Sequence, residues 1–167
     1  MSEALVDPVG ELTGRCARQL CRRGFRLVAA ESCTGGWLAK VLTDLPGSSE
    51  WFDRGFVTYS NQAKQTMLGV TSRTLQRYGA VSEATVAEMT QGALRESGAD
   101  VAVAISGVAG PGGGSEEKPV GTVCFAWQIK EREVIVGREW FGGDRKQVRR
   151  QAVVHALKQL ERILGNG

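Results

Sequence analysis

Apolar side chains recur along this chain in two rhythms, and the switches between them lay out its elements. Asp7–Pro8 reads as a helix start, a capping carboxylate followed by proline at the first helical position. Val9, Leu12, Cys16, Leu20 and Cys21 then share one face until Gly24 ends the helix. Residues 25–29, Phe-Arg-Leu-Val-Ala, are short, mostly apolar and uncapped, which predicts a buried strand. Beyond a Ser/Thr/Gly turn, Leu38, Val41, Leu42 and Leu45 return at spacings of three and four, predicting a helix that begins at Trp37. Pro46–Gly47–Ser48–Ser49 breaks the pattern, and Phe56–Val57–Thr58–Tyr59 predicts a second strand.

Three capped helices come next. Ser60 opens one through Ala63, Lys64 and Leu68, Thr71 a short one through Leu75 and Tyr78, and Ser82 a longer one through Val86, Met89 and Ala93. Residues 101–105 are apolar at every position, as in a strand buried on both faces. Residues 121–127 and 134–140 predict a hairpin across Lys130–Glu131–Arg132. Asp144 with Gln147 forms a capping-box start to the last helix, whose buried stripe is Val148, Ala152, Ala156, Leu160 and Ile163.

Composition narrows the classes. At 167 residues the chain is read as one domain with a full core, and 42% hydrophobic with 23% charged residues is ordinary for a globular protein. The net charge of +3 is mildly basic, and the dense basic run, Arg145–Lys146 with Arg149–Arg150, is too local to indicate nucleic-acid binding. No stretch is long and apolar enough to predict a membrane span. Met1–Ser2–Glu3–Ala4 has neither the charge nor the apolar core of a secretion signal, so a cytoplasmic location is expected. Cys16, Cys21, Cys33 and Cys124 lack C-x-x-C spacing and are read as reduced thiols, with no metal site.

The chemistry is concentrated in two stretches. In Ala29–Ala30–Glu31–Ser32–Cys33–Thr34–Gly35–Gly36 a strand runs into a turn and then into a helix N-terminus, whose free amides favour negative charge. A cap and a tight turn are the commoner use of such residues. Three hydroxyl or thiol side chains in a row and a charge at the strand end, Glu31, also fit an anion or acyl site. The second stretch, residues 106–115, is glycine-rich but matches neither a Walker A loop nor a G-x-G-x-x-G helix entry. It is either a flexible loop or a backbone surface that approaches a ligand closely. A nucleophilic Ser32 needs a base, and His155, at the edge of the last helix's apolar stripe, is read as packing. Lys64 follows the second strand by a few residues, and parallel neighbouring strands would bring it to the same crevice as Ser32, with Tyr59, Ser60 and Asn61.

These strings are similar to the CinA C-terminal family. The resemblance is carried by residues 29–36, Gly55–Phe56–Val57–Thr58–Tyr59–Ser60–Asn61 with Lys64, and Gly79–Ala80–Val81–Ser82. It continues through residues 104–111, Lys118–Pro119–Val120–Gly121–Thr122–Val123, and Gly142 and Asp144–Arg145 with Val148–Arg149. The resemblance implies a three-layer α/β/α fold with a mixed, mostly parallel sheet of about five strands. It implies a nicotinamide-nucleotide amidase of the pyridine nucleotide cycle, converting nicotinamide mononucleotide to nicotinate mononucleotide and ammonia. It further implies a Ser–Lys mechanism without metal or cofactor, in a single amidase domain over residues 1–167 of the stand-alone kind.

On that pattern Ser32 is the nucleophile, Lys64 the general base and Tyr59 a supporting group. Backbone amides of the Cys33–Thr34–Gly35–Gly36 turn would receive the oxyanion. Asn61, the loop with Gly107 and Gly110, and Arg145 are assigned to the substrate, the last two to its ribose phosphate. A small-molecule substrate is the expected partner, without nucleic acid or membrane, and a symmetric homodimer suits the size class. A non-catalytic pyridine-nucleotide sensor and a Ser–Lys amidase for another small amide are the alternatives.

Overall fold

The computed structural model describes residues 7–167, so the reading of residues 1–4 lies outside it. Helix α1 spans Pro8–Arg23, strand β1 Leu27–Glu31, helix α2 Trp37–Thr43 and strand β2 Phe52–Val57. Helices α3 (Asn61–Leu68), α4 (Ser72–Tyr78) and α5 (Glu83–Ser97) follow, then strands β3 (Val101–Gly107), β4 (Thr122–Ile129) and β5 (Ile135–Trp140), and helix α6 (Arg145–Gly165). The caps are those the side chains dictate. Asp7, Ser60, Thr71 and Ser82 each accept a backbone N–H of the first turn they precede, and Asp144 with Gln147 closes a reciprocal capping box.

The strands form one five-stranded sheet in the order β2-β1-β3-β4-β5. β1 runs parallel to both β2 and β3, and β4 is antiparallel to both its neighbours, so four of the five strands share a direction. Alternation along the strands divides the core. Leu27, Ala29, Val103 and Ile105 pack with α1, α2 and α6, while Val28, Ala30, Ala102 and Ala104 pack with α3, α4 and α5. The result is a sheet covered by helices on both faces, an α/β/α sandwich.

The strand bounds differ from the sequence reading, most of all in β1 and β2. β1 begins at Leu27, two residues later than Phe25, because Arg26 is tied outside the ladder: its N–H donates to Asp100 Oδ2 (2.8 Å) and its carbonyl accepts from the Asp100 amide (2.9 Å). β2 begins at Phe52 and ends at Val57, earlier than residues 56–59. Its first four residues, Phe-Asp-Arg-Gly, lack an apolar pattern because β2 is a sheet edge. Thr58 and Tyr59 have left the strand, which frees their carbonyls for another partner.

Candidate active site

Ser32 continues the alternation of β1, on which Ala30 faces the α3–α5 layer and Cys33 packs in the opposite core. From that layer Lys64 reaches it. Lys64 Nζ lies 2.9 Å from Ser32 Oγ, 2.8 Å from the Thr58 carbonyl oxygen and 3.3 Å from that of Tyr59. The local sequence explains the reach: Ser60 caps α3, so Lys64 falls one turn into the helix, at the C-terminal end of the strand beside β1. The lysine is 1% exposed, and no carboxylate pairs with it among the described residues. Burial strips water from the ammonium and lowers its pKa below the usual lysine value, against a smaller raising influence of Cys33.

Cys33, next to Ser32, is a different kind of group. Burial pushes its thiol up to about 11, opposed in part by the Arg149 charge, so at neutral pH it is protonated and a poor nucleophile. All four cysteines are free thiols.

Glu31 has a role the sequence did not disclose. Its side chain is 0% exposed, and its carboxylate accepts the amides of Leu38 (2.8 Å) and Ala39 (3.0 Å) in the first turn of α2. The positive end of α2 is therefore occupied by the protein's own carboxylate, not open to a ligand anion. The signal was the charge itself, at the end of a strand whose neighbours are all apolar.

Ser32, Cys33, Tyr59, Lys64, Ser106 and Arg145 line one cavity of about 300 Å³, together with the backbone of Gly107 to Gly110. Tyr59 is 60% exposed at its rim. Arg145 Nη2 donates to Tyr59 Oη (2.9 Å) and Nη1 to the Gly110 carbonyl (2.6 Å), joining the loops that follow β2 and β3. The guanidinium keeps further N–H groups beyond these two bonds. Ser106 is buried and donates to the Ala80 carbonyl (2.8 Å).

Four of the assigned residues are absent from that lining: Thr34, which is fully buried, Gly35, Gly36 and Asn61. The Gly35 amide donates to the Ser32 carbonyl (3.0 Å), which closes the turn and removes it as an oxyanion donor. Gly35 and Gly36 line a separate open groove with Trp37, Lys40 and Arg149. Asn61 is exposed at the start of α3, outside the lining of the Ser32 cavity, with its carbonyl held by Gln65. The amides of Cys33 and Thr34 have no acceptor among the described residues. Arg149, given no role from sequence, donates to the Cys33 and Thr34 carbonyls at 3.0 and 3.1 Å. His155 packs among the rings of Phe125, Trp127 and Phe141.

Among the described residues no group of His, Cys, Asp and Glu side chains is arranged to hold a metal ion, and no helix is long and apolar enough to cross a membrane.

Comparison with known proteins adds the family. The model of the CinA C-terminal domain matches residues 10–164. Nicotinamide-nucleotide amidohydrolase PncC of Escherichia coli K12 is 58% identical over 150 residues, covering 90% of this chain and 91% of that protein. The Pseudomonas putida protein of the same name is 50% identical over 155 residues, covering 93% and 96%. Among solved structures, a competence-damaged protein (CinA) superfamily member from Klebsiella pneumoniae superposes with a TM-score of 0.92 at 45% identity, covering 96% of this chain and 100% of that one. The competence/damage inducible protein CihA of Agrobacterium tumefaciens gives 0.91 at 44% identity, covering 99% of each.

Proposed function

This chain belongs to the CinA C-terminal domain family, and from that premise we propose that it hydrolyses the carboxamide of nicotinamide mononucleotide to nicotinate mononucleotide and ammonia. The support from relatives is the name nicotinamide-nucleotide amidohydrolase, borne by proteins similar over nearly their whole length. The support from geometry is one contact, the buried Lys64 amine 2.9 Å from Ser32 Oγ with no carboxylate to hold its charge.

In the neutral amine two hydrogens and one lone pair have to be placed. The carbonyls of Thr58 and Tyr59 take the hydrogens. The lone pair is left for the Ser32 hydroxyl, the arrangement a general base needs. As Ser32 Oγ attacks the carboxamide carbon, its proton passes to Lys64, which becomes an ammonium with three donors. The Cys33 and Thr34 amides receive the oxyanion. Lys64 then protonates the departing nitrogen, ammonia leaves, and an ester of the ribotide remains on Ser32. Water, deprotonated by Lys64, attacks that ester, and Lys64 passes the proton to Ser32 Oγ as the acid is released. The substrate's pyridinium ring withdraws electrons from its carboxamide and eases the first attack.

Arg145 and the loop through Gly107 and Gly110 line the same cavity, and to them we assign the ribose phosphate. The cavity's volume of about 300 Å³ falls at the lower end of the range for small-ligand sites, roughly 300–1,000 Å³. The chain acts as an amidase domain that pairs with a second copy, and the enzyme serves pyridine nucleotide recycling in the cytoplasm.

The test is ammonia release from nicotinamide mononucleotide, with the riboside and free nicotinamide in parallel. We expect kcat/KM to be highest for the mononucleotide and at least about tenfold lower without the phosphate, the size of one lost charge-assisted contact. Binding of the mononucleotide without ammonia release would make the chain a sensor. Equal kcat/KM for mononucleotide and riboside would remove Arg145 from phosphate binding.

A further inference from the structure

The first turns of α6 carry Arg145, Lys146, Arg149 and Arg150, at the helix end where cations are disfavoured. Arg149 shows what one of them is for. Its guanidinium is half-buried, lies over the Trp37 ring at 5.5 Å, and has no carboxylate partner among the described residues. Nε donates to the Cys33 carbonyl and Nη2 to that of Thr34, so one planar fork grips two successive peptide units directly after Ser32.

A trans peptide is planar, with its N–H opposed to its C=O. Drawing the Cys33 and Thr34 carbonyls toward α6 therefore turns the Thr34 and Gly35 amides away from α6. The Gly35 amide closes the turn onto the Ser32 carbonyl. The Thr34 amide, turned from α6 by the same grip on the Cys33 carbonyl, has no acceptor among the described residues. The turn also makes room for the guanidinium: a Cβ on Gly35 would stand 3.2 Å from Nη2. A cation bonded to these carbonyls polarises the same peptide units and strengthens their N–H groups as donors.

We infer that Arg149 is a positioning residue, which orients and polarises the backbone amide that stabilises the oxyanion at Ser32. This rests on the Ser32–Lys64 reading above. Because the effect is on a developing charge, Arg149 acts on kcat and not on substrate affinity.

The experiment compares Arg149→Gln, Arg149→Lys and Arg149→Ala in steady-state deamidation of nicotinamide mononucleotide, each with its thermal melt, beside Ser32→Ala. The expected result is a fall in kcat of about 10²-fold for Arg149→Gln, the scale of one weakened oxyanion donor. KM should stay within about twofold, and the pH at which activity levels off should not move, because Lys64 is untouched. Arg149→Lys should recover only part of the loss, since an ammonium cannot grip two carbonyls as a fork. Added guanidinium ion should restore kcat of Arg149→Ala saturably.

A raised KM at unchanged kcat would make Arg149 a substrate ligand and overturn the inference. So would wild-type kinetics in Arg149→Gln, or loss of cooperative melting in all three variants, which would mark a scaffold residue. If Ser32→Ala is inactive while Arg149→Gln is normal, only the Arg149 assignment fails. An active Ser32→Ala removes the Ser32–Lys64 reading and this inference with it.

Discussion

Lys64 is the residue in which stability and chemistry conflict most openly. The folded protein buries its amine away from water and offers two carbonyls and a hydroxyl, no carboxylate. Its pKa is depressed on folding, so between that lowered value and the ordinary lysine value of about 10.4 the unfolded chain binds more protons. Stability must then rise with pH across that window, and below it the protein bears the full penalty of a buried ammonium. The measurement is the stability of wild type minus that of Lys64→Met, from denaturant curves at pH values of about 7 to 10. The difference should move in the wild type's favour as pH rises, and a flat difference would contradict a depressed lysine. Glu31 shows the opposite case, a buried carboxylate held by the amides of Leu38 and Ala39. Glu31→Gln keeps the shape but turns one acceptor into a donor facing an N–H. It should lower stability by about 1–3 kcal/mol in urea denaturation.

At the scale of elements, the site depends on how α3 is seated, because α3 carries Lys64. Its C-terminal turn lies against α5 at Gly92, where a Cβ would stand 1.9 Å from the Leu68 carbonyl oxygen. Backbone cannot yield as a side-chain tip can, so Gly92→Ala has to push the two helices apart. We expect a loss of about 3 kcal/mol in stability. Deamidation should fall as well, because Lys64 shifts relative to Ser32. Wild-type melting and turnover in Gly92→Ala would show that the seat of α3 is not tight. The other loops depend on α6. Arg145 joins Tyr59 to Gly110, and Arg149 joins α6 to the turn after Ser32. One helix start thus gathers the loops from the ends of three strands.

At the scale of the whole molecule, the helices could be read from sequence because each start is a local event: Ser60, Thr71 and Ser82 cap the helices they precede. Residues 101–105 of the central strand β3 are apolar at every position because helices cover both its faces. The meeting of Ser32 and Lys64 was legible too, since it follows from two parallel neighbouring strands and a cap at Ser60. The missed features are long-range or lack a pattern. Nothing in Phe52–Asp53–Arg54–Gly55 alternates, because an edge strand has little to bury there. In sequence Glu31 reads toward an anion or acyl site and Arg149 as part of a basic run, and their partners, an amide pair in α2 and two carbonyls of a distant turn, have no signature along the chain. The Gly35 amide is hidden from sequence for the same reason, since its use in closing the turn onto the Ser32 carbonyl leaves no signature along the chain.

Turnover in this site depends on the hydroxyl that Lys64 faces. The most direct measurement is ammonia release from nicotinamide mononucleotide by Ser32→Ala against wild type, on protein shown to melt normally. Removing Oγ deletes one contact to Lys64 and should leave the fold intact. We expect kcat to fall by about 10³-fold or more, as for loss of an attacking nucleophile. Ammonia release at a rate close to that of wild type would contradict it.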